Sequence, residues 1–297
     1  MPARVDDLAR AFLARGVGTL LRLDRDVRRG RDVEAVHQMR VTVRHLRSEL
    51  RVIERALRSR RVEALDRDLR WLGRSLGRLR DTDVLGALLA DPALPRSRAV
   101  DERLAAERAA EARDVARALS SDRYRRLVES LASAALRPPL RARGPRDALA
   151  VLAPGLTREI ARLEAAAGAL GDAPALEELH ALRILGKRCR YTCELAISIV
   201  PGTKRAASDL ERLQGALGDL HDHSVARAFV RSCAPRLSLF EPSEPDHEVE
   251  ALDAALAEGA GDLLTRWREP LERARASLAG VAAGLQTSSS PPEVPVE

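Results

Sequence analysis

Apolar residues recur every three or four positions along almost the whole chain, and the pattern breaks only where Pro and Gly gather. Those breaks fall at Asp91 to Ser97, Arg137 to Pro145, Gly171 to Pro174, Pro201 to Gly202 and Ser238 to Asp246. Between them the period predicts helices over about 4–28, 32–58, 61–90, 98–119, 121–136, 146–170, 175–199, 203–233 and 248–283. Within the second of these, Val36, Met39, Val43, Leu46, Leu50 and Ile53 form one stripe that should pack into a core. The acidic run Glu241 to Glu250 reads as a solvated loop, and the polar, Pro-rich tail 286–297 is expected to be disordered.

Composition sharpens this into an all-α reading. Ala, Leu, Arg and Glu dominate and aromatic residues make up 2%, so the chain is rich in helix formers and poor in strand formers. At 297 residues it can build one large domain or two similar halves. No apolar stretch approaches the length of a bilayer-crossing helix. Three cysteines do not suit a disulfide framework, and together these points lead us to expect a cytoplasmic protein without membrane partners. Cys189 and Cys193 share an apolar stripe with Leu182 and Gly186, which makes them core thiols rather than metal ligands.

An internal repeat is the most informative feature. His37-x-x-Arg40-x-x-x-Arg44-His45-x-Arg47 recurs as His180-x-x-Arg183-x-x-x-Lys187-Arg188-x-Arg190, an offset of 143 residues. A second element follows each copy: Leu76-Gly77-Arg78-Leu79-Arg80-Asp81 and Leu217-Gly218-Asp219-Leu220-His221-Asp222, offset by 141. The order and spacing predict two related halves, about 5–137 and 146–283, joined near 137–145.

Charge adds a candidate chemistry. The net charge of +6 is a small excess of 50 basic over 44 acidic residues, so arrangement matters more than total. Lys187 and Lys204 are the only lysines, which leaves Arg, with its planar fork suited to phosphate oxygens, as the main cation; a GC-rich genome would give the same bias. On a helix His37, Arg40, Arg44, Arg47 and Arg51 share one face over about 21 Å, a length that suits a chain of phosphates. His180, Arg183, Lys187 and Arg190 repeat the arrangement. Like charges one turn apart cost the helix a few tenths of a kcal/mol per pair. Either an anionic guest or the protein's own carboxylates must compensate, and Glu194 is an obvious internal partner for Arg190.

The two motifs and the paired Leu-Gly elements resemble the CHAD domain, the conserved-histidine α-helical domain, over about residues 5–283. The resemblance implies two pseudo-symmetric antiparallel helical bundles forming one domain around a central basic cavity or groove. It also implies binding of inorganic polyphosphate, with a place at polyphosphate granules, and without a phosphate loop or other catalytic motif that binding is expected to be non-catalytic. Carried over by position, His37, Arg40, Arg44 and Arg47 match the first motif and His180, Arg183, Lys187 and Arg190 the second. Arg51, Arg80, Arg188 and His221 extend the set. His45 stands where a second Arg is common, and Lys187 replaces an Arg.

No cofactor or metal is expected. The rival enzymatic reading, metal-dependent processing of phosphate chains by Asp81 and His221-Asp222-His223, suffers because His221 and His223 point about 200° apart on one helix. Asp81 and Asp222 read more simply as partners of nearby arginines or as helix caps. Nucleic acid is a less favoured partner, since the scarcity of aromatics removes stacking platforms, and a scaffolding role is the remaining alternative. His37 and His180, near an ordinary pKa of about 6.5, are expected to strengthen anion binding at lower pH.

Overall fold

The computed structural model describes residues 3–30, 32–141, 146–233 and 244–287, and among these all regular structure is helical. The helices are α1 (Val5–Arg29), α2 (Val33–Val52), α3 (Ser59–Leu89), α4 (Arg98–Leu119), α5 (Asp122–Leu136), α6 (Ala148–Gly168), α7 (Leu176–Ala196), α8 (Thr203–Cys233), α9 (Glu244–Leu263) and α10 (Arg268–Thr287).

Local chemistry sets the ends that matter for the site. Gly30 closes α1 in the left-handed region at φ 66°, which a residue without a Cβ adopts without strain. Asp32 then caps α2, its carboxylate accepting from the amides of Glu34 at 2.9 Å and Ala35 at 3.0 Å. Asp147 does the same for α6 through the Ala150 amide at 2.7 Å. At the head of α7 the roles are reversed, and the Glu178 carboxylate accepts from the Ala175 amide at 2.7 Å.

In the first half α1 packs on α2, α4 and α5, and α3 packs on α2, α4 and α5; in the second, α7 lies between α6 and α8, and α8 also packs on α9 and α10. The halves meet through α2 against α7 and α3 against α8. They do not have separate cores. The α2 stripe from Val36 to Ile53 is buried in one continuous cluster that also takes in Leu182, Cys189 and Cys193 of α7 and Leu278 and Val281 of α10. A smaller cluster joins Leu85 and Leu89 of α3 to Val100, Val230 and Leu256. Short backbone pairings near the chain start and the junction add to this: the Val5 amide donates to the Arg146 carbonyl and the Ala148 amide to the Ala3 carbonyl, both at 2.9 Å.

Three expectations need revision. The segment expected as one helix over 32–58 ends at Val52 and continues as a 3-10 turn, Glu54–Ala56. The segment 248–283 is two helices, separated at Leu264 to Trp267; the buried Trp267 indole donates to the Leu264 carbonyl at 2.7 Å and fixes the corner. Pro270, in the first turn of α10, was the available signal for a new start. Third, the acidic segment is helical from Glu244 onward, with Val249 buried, while His247 and Glu250 remain exposed as expected of a solvated stretch. Residues 142–145 of the expected junction, 241–243 of the acidic run and 288–297 of the tail lie outside the described residues.

No helix among the described residues is long and apolar enough to cross a membrane.

Candidate functional site

The two motif helices, α2 and α7, pack against each other, and each is followed by a 31-residue helix, α3 or α8. Where these four elements converge they enclose a cavity of about 340 Å³. His37, Arg40 and Arg44 enter it from α2, Arg80 and Asp81 from α3, Arg183 and Lys187 from α7, and His221 and Asp222 from α8. Val41, Val84, Leu85 and Val225 complete its lining. The apolar stripes on α2 and α7 make this convergence necessary: once they are buried, the adjoining basic stripes have only the edge of the packed faces to occupy.

The cations in the cavity are unequally neutralised. Arg40 lies across α3, its Nη1 donating to Asp81 Oδ1 at 2.6 Å and to the Gly77 carbonyl at 2.9 Å. Gly77 lies directly beneath this guanidinium, and a Cβ there would make ordinary van der Waals contact with the Arg40 guanidinium carbon at 3.8 Å. By contrast, among the described residues no carboxylate lies within 4 Å of Arg44, Arg80, Arg183 or Lys187. Arg44 and Arg183 each also keep a buried Nε without a hydrogen-bond partner, a state that costs free energy unless something arrives to accept from it.

This uncompensated charge appears in the protonation equilibria. Burial, then Arg183, Arg44 and Arg40, push the Lys187 ammonium down to about 7, with Asp222 opposing weakly. Burial followed by repulsion from neighbouring arginines lowers Arg44, and burial foremost lowers Arg183, against the pull of Asp222. The Asp222 carboxyl is raised by its own burial despite Arg183. His37 is lowered by burial and Arg80, and His221 by burial and Arg183. The cavity is therefore a desolvated, electropositive space in which protonation of each group opposes that of its neighbours.

The remaining candidates stand elsewhere. His180 is exposed at the rim, its ring centroid 5.1 Å from that of His221. Arg47 turns to Asp66 of α3 at 2.9 Å, and Asp66 also binds Arg70. Arg190 is nearly buried, with Nη1 2.7 Å from Glu211 Oε1 and Nε 3.4 Å from Glu194 Oε1. The last basic residue of each motif is thus neutralised by a carboxylate on the following long helix, and Glu194 acts as the internal partner anticipated for Arg190. Arg51 and Arg188 are exposed outside the cavity; Arg188 follows Lys187 by one residue and so faces about 100° away.

Tyr191, which the sequence reading did not single out, joins the two sets. Its ring lies 5.5 Å from the Arg44 guanidinium and 5.2 Å from that of Arg190, with the His45 ring 4.6 Å away. Its rarity was the available signal, since the chain has only two tyrosines. His45 is held down to about 4 by burial and by Arg44, so it adds no charge here near neutrality. Nearby, burial raises the Glu49 carboxyl to about 7 although Arg15 pairs with it at 2.8 Å.

His223 turns away from His221, its Nδ1 2.9 Å from the Asp219 carbonyl oxygen. Among the described residues no three His, Cys, Asp or Glu side chains are grouped so as to hold a metal ion. A larger depression of about 730 Å³ lies at the start of α8, beside Lys204, Arg205, Arg212 and Arg273. Its arginines are already paired, Arg205 and Arg212 with the buried Asp209 and Arg273 with Glu269, so less of its positive charge is left unmatched than in the smaller cavity.

Known proteins place this architecture. The chain is similar to the uncharacterized proteins MT2285 and Rv2226 of Mycobacterium tuberculosis strains CDC 1551 and H37Rv, 31% identical over 225 residues in each case. The match takes in 71% of this chain but 42% of the length of those relatives. Among solved structures, the CHAD domain from the plant Ricinus communis superposes with a TM-score of 0.68 at 28% identity, covering 94% of this chain and 92% of that one. PptA from Streptomyces chartreusis superposes at 0.72, covering 91% of this chain and all of its own, and at 20% identity this likeness is one of fold. The CHAD domain family model matches residues 11–231, from α1 to near the end of α8, and the chain belongs to that family.

Proposed function

We propose that this chain binds inorganic polyphosphate in the cavity between α2, α3, α7 and α8 and does so without catalysing a reaction on it. One observation carries the reading: Arg44, Arg80, Arg183 and Lys187 converge there with no carboxylate of the described chain within 4 Å. Five basic side chains, counting Arg40, face only Asp81 and Asp222. A linear polyanion supplies the missing negative charge at short intervals and acceptors for the orphaned Nε groups. Each charge-assisted hydrogen bond of this kind contributes about 1.5–3 kcal/mol. The family resemblance points to the same ligand and to a place at polyphosphate granules.

Nucleic acid fits less well, because the cations face inward on a cleft, where a duplex backbone has poor access, and the cavity lining contains no Phe, Tyr or Trp ring as a stacking platform for a base. The test is retention of the protein on immobilised polyphosphate at physiological salt, with random DNA as competitor. Wild type should be retained and R44A/R183A lost, retention should weaken as salt rises, DNA should compete poorly, and no phosphate should be released with added divalent metal. Equal retention of wild type and the double variant contradicts the assignment.

A further inference from the structure

Lys187 differs chemically from every other cation in the cavity. At the corresponding place in the first half, 143 residues earlier, stands Arg44. An arginine there offers permanent charge, whereas a lysine also offers an amine that becomes a nucleophile when it loses its proton. Lys187 lies one turn after Arg183 on the same face of α7, with Arg40 and Arg44 opposite on α2, Arg80 and Asp81 on α3, and His221 and Asp222 on α8. It is half-buried, and no carboxylate of the described residues approaches within 4 Å to hold it as the ammonium ion.

We propose that Lys187 is a covalent acceptor for the acyl group of small acyl phosphates, whose phosphate is held by the surrounding guanidinium groups. The amine lone pair attacks the acyl carbonyl carbon, a C–N bond forms, and the C–O bond to phosphate breaks with its electron pair leaving on the phosphate. The amine proton passes to the departing phosphate, so the products are an amide and inorganic phosphate, and no further reactant is needed. Burial first, and then the same arginines that recruit the reagent, suppress protonation of its target. With the ammonium at about 7, a large fraction of the amine is free at pH 7.5, against about one part in a thousand for an ordinary lysine near 10.4. The amide carries no charge, and because the site is read as a polyphosphate site, acylation would lower its affinity for that ligand and act as a brake on binding.

The chain contains its own control, since its only other lysine is Lys204, exposed at the start of α8. The full-length protein is incubated with acetyl phosphate at pH 7.5 and site-resolved acetylation is followed by mass spectrometry. Lys187 should react on the order of tenfold faster than Lys204. Inorganic polyphosphate should protect it, and its preference should shrink several-fold with phenyl acetate, an uncharged acyl donor without a phosphate. R183A, which removes one phosphate-holding group, should lower the Lys187 rate with acetyl phosphate more than with phenyl acetate. A rate at Lys187 no greater than at Lys204, or an equal preference with both reagents, overturns the proposal. Selective labelling does not require polyphosphate to bind: a wild-type protein that is selectively acetylated but not retained on polyphosphate would refute the functional reading and leave this one standing, and the converse would do the opposite.

Discussion

The first-half arginine Arg40 and its second-half counterpart Arg183 occupy matching motif positions, yet only one is already engaged. Arg40 spends its guanidinium on Asp81 and on the carbonyl of Gly77. Asp222 acts on Arg183 only from beyond ion-pair distance, among the described residues, and the Arg183 Nε is buried without a partner. The same letters thus give one arginine clamped to its own fold and one without an ion-pair partner among the described residues. A basic stripe in a sequence is not equivalent to a binding stripe, because carboxylates on the next helix decide which cations remain available. The same division separates the ends of both motifs, where Arg47 and Arg190 are neutralised, from their middles, where Arg44 and Lys187 are not.

The comparison can be broken most forcefully at the unpaired residues. R44A/R183A should lower polyphosphate affinity at least a hundredfold in a titration at fixed salt, since each lost charge-assisted contact is worth about 1.5–3 kcal/mol. R40A should cost clearly less, because its charge is already matched. If R40A proved as damaging as R183A, the asymmetry between the halves would be void.

Next in size is a loss of stability rather than of binding. Truncating Arg190 leaves Glu194 and Glu211 without their cation, and removing one member of a buried pair costs about 3 kcal/mol; the Glu211 carboxylate is mostly exposed, which places the effect at the lower end. Thermal unfolding of R190A should show a fall of several degrees, whereas R51A and R188A, at exposed positions, should unfold like wild type.

A smaller effect concerns pH. In the free protein the Lys187 ammonium titrates at about 7, and an anion bound beside it raises that value. Binding therefore takes up a proton above pH 7, and affinity is greatest below pH 7 and declines as pH rises through the bound-state value. Roughly tenfold weakening between pH 6.5 and 9 is expected for one lost contact, and it should vanish in K187R, which cannot deprotonate. The sequence suggested His37 and His180 for this role. His37 is lowered by burial and Arg80, which moves its charging away from neutral pH. The smallest change is D81N, which frees Arg40 and should tighten binding a few-fold.

Much of the fold was legible because its signal is periodic. The stripe from Val36 to Ile53 predicts its own burial, and so do Leu182, Cys189 and Cys193. The corner between α9 and α10 was easy to miss because Leu264 to Trp267 contains neither Gly nor Pro and the one signal, Pro270, lies beyond it; its cause is the seating of Trp267 in the core. In the site, Glu194 could be paired with Arg190 from sequence because it is one turn away on the same helix. Asp66 and Glu211 could not be paired with Arg47 and Arg190, because they lie 19 and 21 residues on and meet them only through helix packing. The doublet Lys187-Arg188 misled for a simpler reason: neighbours on a helix face different directions, and only the first points into the cavity.

The most direct test is a crystal structure of the protein with a short polyphosphate. Phosphates should lie between α2 and α7, with oxygens accepting from Arg44, Arg183 and Lys187 and with Arg40 still joined to Asp81. Phosphates gathered instead at Arg51 and Arg188, or at Lys204 and Arg205, with the cavity between the motif helices free of them, would contradict the account.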